Sequence, residues 1–237
     1  MFKRLCLYCI ILLPSAIKAE PINLYVQFIP GLFQYDKQGV YDQVIRLATP
    51  ENHSISLQVL PNHRASNKFK TCTNCCVSPA NLNPDFYSFG NEVRATQPLN
   101  RAKAYIFSLT KDEVYTKLTQ LVGKRVGLER GMNYGKAVAA GDFIPSVTNS
   151  LLQNFKMLMI HRIDTMIAYT PDIYQAFKEV DPKHFHFDKD QPVAIHDDAL
   201  VCRGVGPGFI KGFNTRLEAL RSTGKLKEVL GELYVAP

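Results

Sequence analysis

The chain has 237 residues, 46% hydrophobic and 21% charged, enough apolar material for a real core and too much for wholesale disorder. Its net charge of +7 is spread without any concentrated Lys/Arg run, which argues against nucleic acid as a partner.

The first residues read as a secretory signal. Lys3 and Arg4 precede an apolar run from Leu5 to Leu13, Pro14 and Ser15 end it, and Ala19 offers a small residue for cleavage before Glu20. The run is too short to span a bilayer, which takes about 20 residues. Residues 1–19 are therefore expected to be removed on export to the periplasm, and Cys6 and Cys9 with them. Lys3, Arg4 and Lys18 lie there and no acid does, so 25 of the 28 basic residues and all 21 acids remain, a net +4.

After the signal, residues 22–28 alternate apolar and polar as a strand does, and Pro30 and Gly31 break the pattern. From Val40 to Ala48 the apolar residues Val40, Tyr41, Val44, Ile45 and Leu47 fall at helical spacing, and Pro50 stops the helix. Residues 55–60 alternate again and end at Pro61. Between Asn62 and Asn100 the periodicity weakens; Pro79, Pro84, Pro98 and many Asn residues predict loops with short strands. A strand is predicted at 104–109, a helix from Asp112 to Leu121 and a strand over 124–130 ended by Gly131. Ser146 is read as the cap of a helix to about His161. A strand at 165–169, a helix from Asp172 to about Val180 opened by Pro171, a loop from Pro182 to Pro192 and a strand at 199–202 follow. The last helical material runs from Phe209 to Leu233 and breaks at Gly224. Strands alternating with helices predict an α/β architecture.

Four cysteines remain after the signal: Cys72, Cys75, Cys76 and Cys202. An even number in an exported chain predicts disulfides, with three possible pairings left open. The group Cys72, Cys75 and Cys76 also looks like half of a zinc site, but no second Cys/His pair sits at finger spacing.

The order of motifs resembles the family 3 extracellular solute-binding proteins, from about Ile22 to Tyr234. Leu121–Gly131 looks like the strand that opens the family's second lobe. Arg162–Asp172 looks like its Gly-Arg-hydrophobic-Asp strand and the following helix. Phe213–Leu230 looks like its terminal helix pair with a glycine turn, and Pro30–Phe33 with Gly39–Tyr41 looks like a shortened first ligand loop. The resemblance implies a two-lobed type II periplasmic binding architecture with two hinge crossings, near Ala104 and Ala199. Lobe one would comprise residues 20–104 and 199–237, and lobe two residues 105–198, with the ligand held between them by hinged closure.

Both of the family's charged anchors look lost here. Where its amino-acid receptors place an arginine before a Ser-x-Pro-like turn, here Thr96–Pro98, this chain has Phe89; Arg94 stands at another spacing. Tyr169 stands where the acid for the ligand's ammonium is expected. Ordinary α-amino acids are therefore not expected to bind tightly, because a buried ligand charge would go unpaired. The remaining candidate ligand residues are Phe33, Tyr35, Tyr41, Tyr134 and Tyr169, with Arg64, Asn74, Arg94 and Arg130 as polar partners. Tyr134, flanked by Gly131 and Gly135, is the strongest single candidate.

Other constellations point to less. His184 and His186 would share one face of a strand, and their alternation with Phe reads as a half-exposed strand rather than a metal site. His196, Asp197 and Asp198 precede the return crossing and read as a hinge loop. Glu129 is the one acid placed near the cleft. No Gly-x-Ser-x-Gly turn or Walker loop occurs, and Gly204–Gly208 lacks the lysine a phosphate cradle needs. The resemblance implies a protein that captures a small molecule for an inner-membrane ABC permease or a sensor, and it is expected to be monomeric, cofactor-free and metal-free. The rival possibilities are an enzyme on the same fold, similar to cyclohexadienyl dehydratases, and a protein-interaction module.

Overall fold

The computed structural model describes residues 20–90 and 92–237, so the expected signal segment 1–19 lies outside the described residues. The chain opens with β1 (Ile22–Gln27), α1 (Val40–Ala48), β2 (Ile55–Leu60), α2 (Asn62–Thr71), β3 (Cys75–Ala80) and β4 (Val93–Ala95). β5 (Asn100–Phe107), β6 (Arg125–Glu129), α3 (Lys136–Ala139), β7 (Ile144–Thr148), α4 (Leu151–Met159), β8 (Thr165–Thr170) and α5 (Ile173–Ala176) come next. β9 (Ala194–Arg203), α6 (Pro207–Ser222) and α7 (Lys225–Leu230) close it.

The strands follow the order β2-β1-β3-β9-β5-β8-β6-β7, with β4 paired to β9. β1 runs parallel to β2 and β3, and β6 runs parallel to β7 and β8. Within the sheet the two parallel halves are joined through β5 and β9. Asn100–Ala104 pairs antiparallel with Ala194–Asp198; beyond that, β9 turns to β3 and β5 turns to β8. The chain thus passes twice between the halves, along adjacent antiparallel strands.

Each half has its own core. In the first, Leu24 and Val26 of β1 pack with Tyr41, Val44 and Ile45 of α1 and with Phe209, Phe213 and Leu217 of α6. In the second, Phe107, Met166 and Ala168 meet Phe155 and Leu158 of α4. β8, between antiparallel β5 and parallel β6, is buried along its whole length, as a central strand covered on both faces must be. Gly127 lets β6 approach α4 and the segment after it, since a Cβ there would lie 3.0 Å from Asn154 Oδ1 of α4 and 2.5 Å from Ile163 Cδ1. Two disulfides settle the open pairing: Cys72–Cys75 beside α2, and Cys76–Cys202 between directly paired residues of β3 and β9.

Four expectations need correcting. Residues 62–71, expected as loop, form α2. The expected helix from Asp112 to Leu121 is two 3-10 turns, Lys111–Glu113 and Leu118–Leu121. Gln120 Oε1 accepts from the Thr116 and Lys117 amides at 2.9 and 2.8 Å, taking the place of helical carbonyls. Ser146 lies in β7; Ser150 is the cap instead, its Oγ accepting from the Gln153 amide at 3.2 Å. The helix expected from Asp172 to Val180 is the single turn α5.

Candidate functional site

The crossing strands floor a cavity of about 330 Å³. Ala102 of β5 and His196 and Asp198 of β9 form its base. Gln27, Ile29 and Ser78 come from the first half, and Gly131–Asn133, Tyr169 and Asp172 come from the second. A second cavity of about 500 Å³ shares Ile29, His63, Met132 and Asp172 with it and continues past Tyr35, Glu129 and Arg130. The halves touch beside this cleft. Asn133 Nδ2 donates to the Phe86 carbonyl, and the Lys136 amide donates to the Asp85 carbonyl at 2.8 Å. Gly131 ends β6 with φ 81°, a conformation suited to glycine, and so turns Met132 and Asn133 toward the opening.

His196 and Asp198 are two apart on β9 and therefore share one face. Asp198 is fully engaged: Tyr41 Oη donates to its Oδ2 at 2.5 Å, and His196 Nδ1 donates to its Oδ1 at 2.6 Å. The other imidazole nitrogen faces Tyr87 Oη at 3.2 Å. A chain Tyr41–Asp198–His196–Tyr87 therefore links α1, the crossing strand and the cavity wall. Burial, then the Asp198 charge, raises the Tyr41 hydroxyl well above its usual range, so it stays a donor.

Asp172 differs. It is 7% exposed, lines both cavities, and makes no hydrogen bond or ion pair with another side chain among the described residues. Burial pushes its carboxyl well above the usual range, with Asp198 and Glu129 adding in the same direction. Glu129 is raised by burial to about 7. Ser78 Oγ is likewise buried at the cavity and has no partner. The aromatic wall consists of Tyr87 stacked on Phe89 at 4.8 Å and of Tyr169, itself stacked on Tyr134 at 5.2 Å. Among the described residues, no Lys or Arg lines the first cavity.

No protein-family model matches this chain, and no curated protein matches it. Solved structures do. The GluR0 ligand-binding core in complex with L-glutamate superposes with a TM-score of 0.71 over 92% of this chain and 99% of that one, at 13% identity. A periplasmic binding protein of Salmonella typhimurium with high arginine specificity gives 0.65 over 92% and 100%, at 15% identity. The substrate-binding protein of an amino acid ABC transporter gives 0.65 over 91% and 99%, at 11%. This chain has the type II periplasmic binding fold.

On that fold the expected ligand residues divide. Tyr169 lines the first cavity, and Tyr35 and Arg130 line the second; Arg130 Nε donates to Asn149 Oδ1 at 3.0 Å. Tyr134 lies behind Tyr169, buried, and contributes by stacking. Phe33 and Tyr41 are fully buried in the core of the first half, edge to face at 5.3 Å, because the apolar side of α1 carries Tyr41 inward onto Phe33. Arg64 is on the exposed side of α2. Asn74 sits at the start of β3 and donates to the Pro21 carbonyl at 3.4 Å. Arg94 lines a shallow hollow with Gln97 and Asn214, away from the binding-fold cleft. Phe89, expected in place of a carboxylate-clamping arginine, lines the first cavity.

Two expectations about acids are corrected. Glu129 is joined at the cleft by Asp172 and Asp198, and His196–Asp198 lie within a paired strand rather than a hinge loop. The His196–Asp198 signal was present as i, i+2 alternation. Asp172 was hidden by Pro171, which read only as the opening of a helix.

Proposed function

We propose that this protein is an exported, monomeric, divergent family 3 solute-binding protein that captures a small ligand between two lobes, residues 20–104 with 199–237 and residues 105–198. It would deliver that ligand to an inner-membrane ABC permease or report it to a sensor. The ligand is not an ordinary α-amino acid. The observation that carries this reading is the cavity at the double crossing, walled by aromatic rings and with no Lys or Arg among its described lining residues. The neighbours are binding proteins that share the fold, which supports capture over catalysis. Native mass spectrometry of freshly purified protein, paired with thermal shift against a metabolite panel, tests it. A small retained mass or a saturable stabilisation is expected, following RT ln(1 + [L]/Kd). No retained mass and no shift with any solute would refute the reading.

A second reading, an enzyme similar to cyclohexadienyl dehydratases, draws support from Glu129 and Asp172 as raised carboxylic acids at the cleft. Against it stands charge: prephenate and arogenate bring carboxylates to an aspartate-lined chamber. Turnover of either compound would establish this reading over the first.

A further inference from the structure

The first cavity holds an imbalance that the protein does not resolve by itself. Asp198 already accepts from Tyr41 and His196. Asp172 is buried at the same cavity with no side-chain partner among the described residues. Buried carboxylates are normally paired, because an isolated one loses its hydration without replacement. Ser78 Oγ, 1% exposed and unpartnered, is a second polar group left facing the same space. The rings of Tyr87, Phe89 and Tyr169 complete the wall, and aromatic faces attract cations and repel anions. Arg130 belongs to the second cavity, where Glu129 and Glu179 also lie.

We infer that the first cavity binds a small organic amine that carries no carboxylate, its ammonium directed at Asp172 and held against the aromatic wall. This rests on the solute-binding reading and names the ligand class within it. The ammonium would supply the counter-charge that Asp172 lacks and a donor for Ser78 Oγ. A carboxylate on the same ligand would instead face Asp172 and Asp198, with no guanidinium or ammonium among the described lining residues to receive it.

Decarboxylated pairs isolate that difference: agmatine against arginine, putrescine against ornithine, tyramine against tyrosine, histamine against histidine. Calorimetry and thermal shift are expected to show at least one amine binding ten-fold or more tighter than its parent amino acid. Asp172→Asn should weaken that amine at least ten-fold without lowering the melting temperature of the empty protein, since it removes an uncompensated buried acid. Phe89→Leu should weaken it several-fold. Asp164→Asn, which removes one charge from an exposed pair with Arg125 well outside the lining, should leave affinity unchanged. Tighter binding of the amino acids, or no response to any amine, overturns the inference. A response to neutral or anionic solutes alone would do so while sparing the solute-binding reading, whereas silence toward every class would remove both. The wild-type pairs decide the matter even if a variant fails to fold.

Discussion

The two disulfides close loops of very different length, and their removal should separate accordingly. Cys76 and Cys202 are 126 residues apart, and the loop between them contains both crossings and the whole second half of the sheet. Cys72 and Cys75 are 3 apart. In the chain-entropy account a cross-link restricts the unfolded ensemble by an amount that grows with the logarithm of loop length. At 25 °C this gives about 5 kcal/mol for the long loop and about 1.5 kcal/mol for the short one. Cys75, Cys76 and Cys202 are all buried, so alanine replacements leave comparable packing defects, and loop length sets the order. For a chain of this size the melting temperature should fall by roughly 10–20 °C in the Cys76→Ala/Cys202→Ala variant and by roughly 3–6 °C in Cys72→Ala/Cys75→Ala. Calorimetric and urea unfolding of both variants checks this. Equal losses, or a larger loss from the short loop, would refute the reasoning and show that local packing around α2 outweighs chain entropy.

Two side chains at the cleft give further tests. Glu129 holds its proton up to about pH 7 in the folded chain, against an ordinary value of 4.5. Between those values the folded state binds a proton at Glu129 that the unfolded state has released, so the Glu129 contribution to stability falls as pH rises from 4.5 to 7 and is flat above. Glu129→Gln should abolish that slope and be more stable than the parent at pH 8, by up to about 3 kcal/mol, with the advantage vanishing near pH 4. Urea melts across this range would show it, and a variant with an unchanged slope would disprove the assignment. Tyr41→Phe removes one of the two donors to Asp198, and the buried carboxylate oxygen left behind should cost about 1–3 kcal/mol, read as a lower urea midpoint at constant m. An unchanged midpoint would mean that Asp198 has another donor.

Most of the fold was legible because its strands and helices carry clean periodicity and clean punctuation. α1 and β2 match the expected ranges residue for residue, each followed by a proline, and Gly224 splits α6 from α7 as expected, with φ 76°. α2 escaped because, among its described side chains, only Ala65 and Phe69 turn inward; two apolar residues in ten leave no periodic signal. Ser146 and Ser150 are both plausible caps before the same apolar run. What separates them is tertiary: Ile144–Thr148 pairs with β6, so the helix can begin only after it. β9 was read too short at its start because His196, Asp197 and Asp198 look unlike a strand, although its pairing with β5 is what joins the halves.

The site was less legible, for a reason that composition could not reveal. With residues 1–19 excluded, the chain is net basic, yet no Lys or Arg is among the described residues lining the first cavity, while two aspartates are. Net charge averages over a surface and says nothing about which side chains a fold turns inward. Asp172 and Asp198 are 26 positions apart and meet only because β8 and β9 flank β5 on opposite sides. At the position where an acid was expected, Tyr169 offers a ring and donates its hydroxyl to the Asn133 carbonyl at 2.8 Å. An acid appears three residues later, past the end of β8 and beyond Pro171, with no side-chain partner among the described residues. On the inference above, Phe89 would replace the clamp for a carboxylate with a ring, while Asp172 would supply the socket for an ammonium from a new place, and a cleft altered in those two respects would favour a cation over a zwitterion.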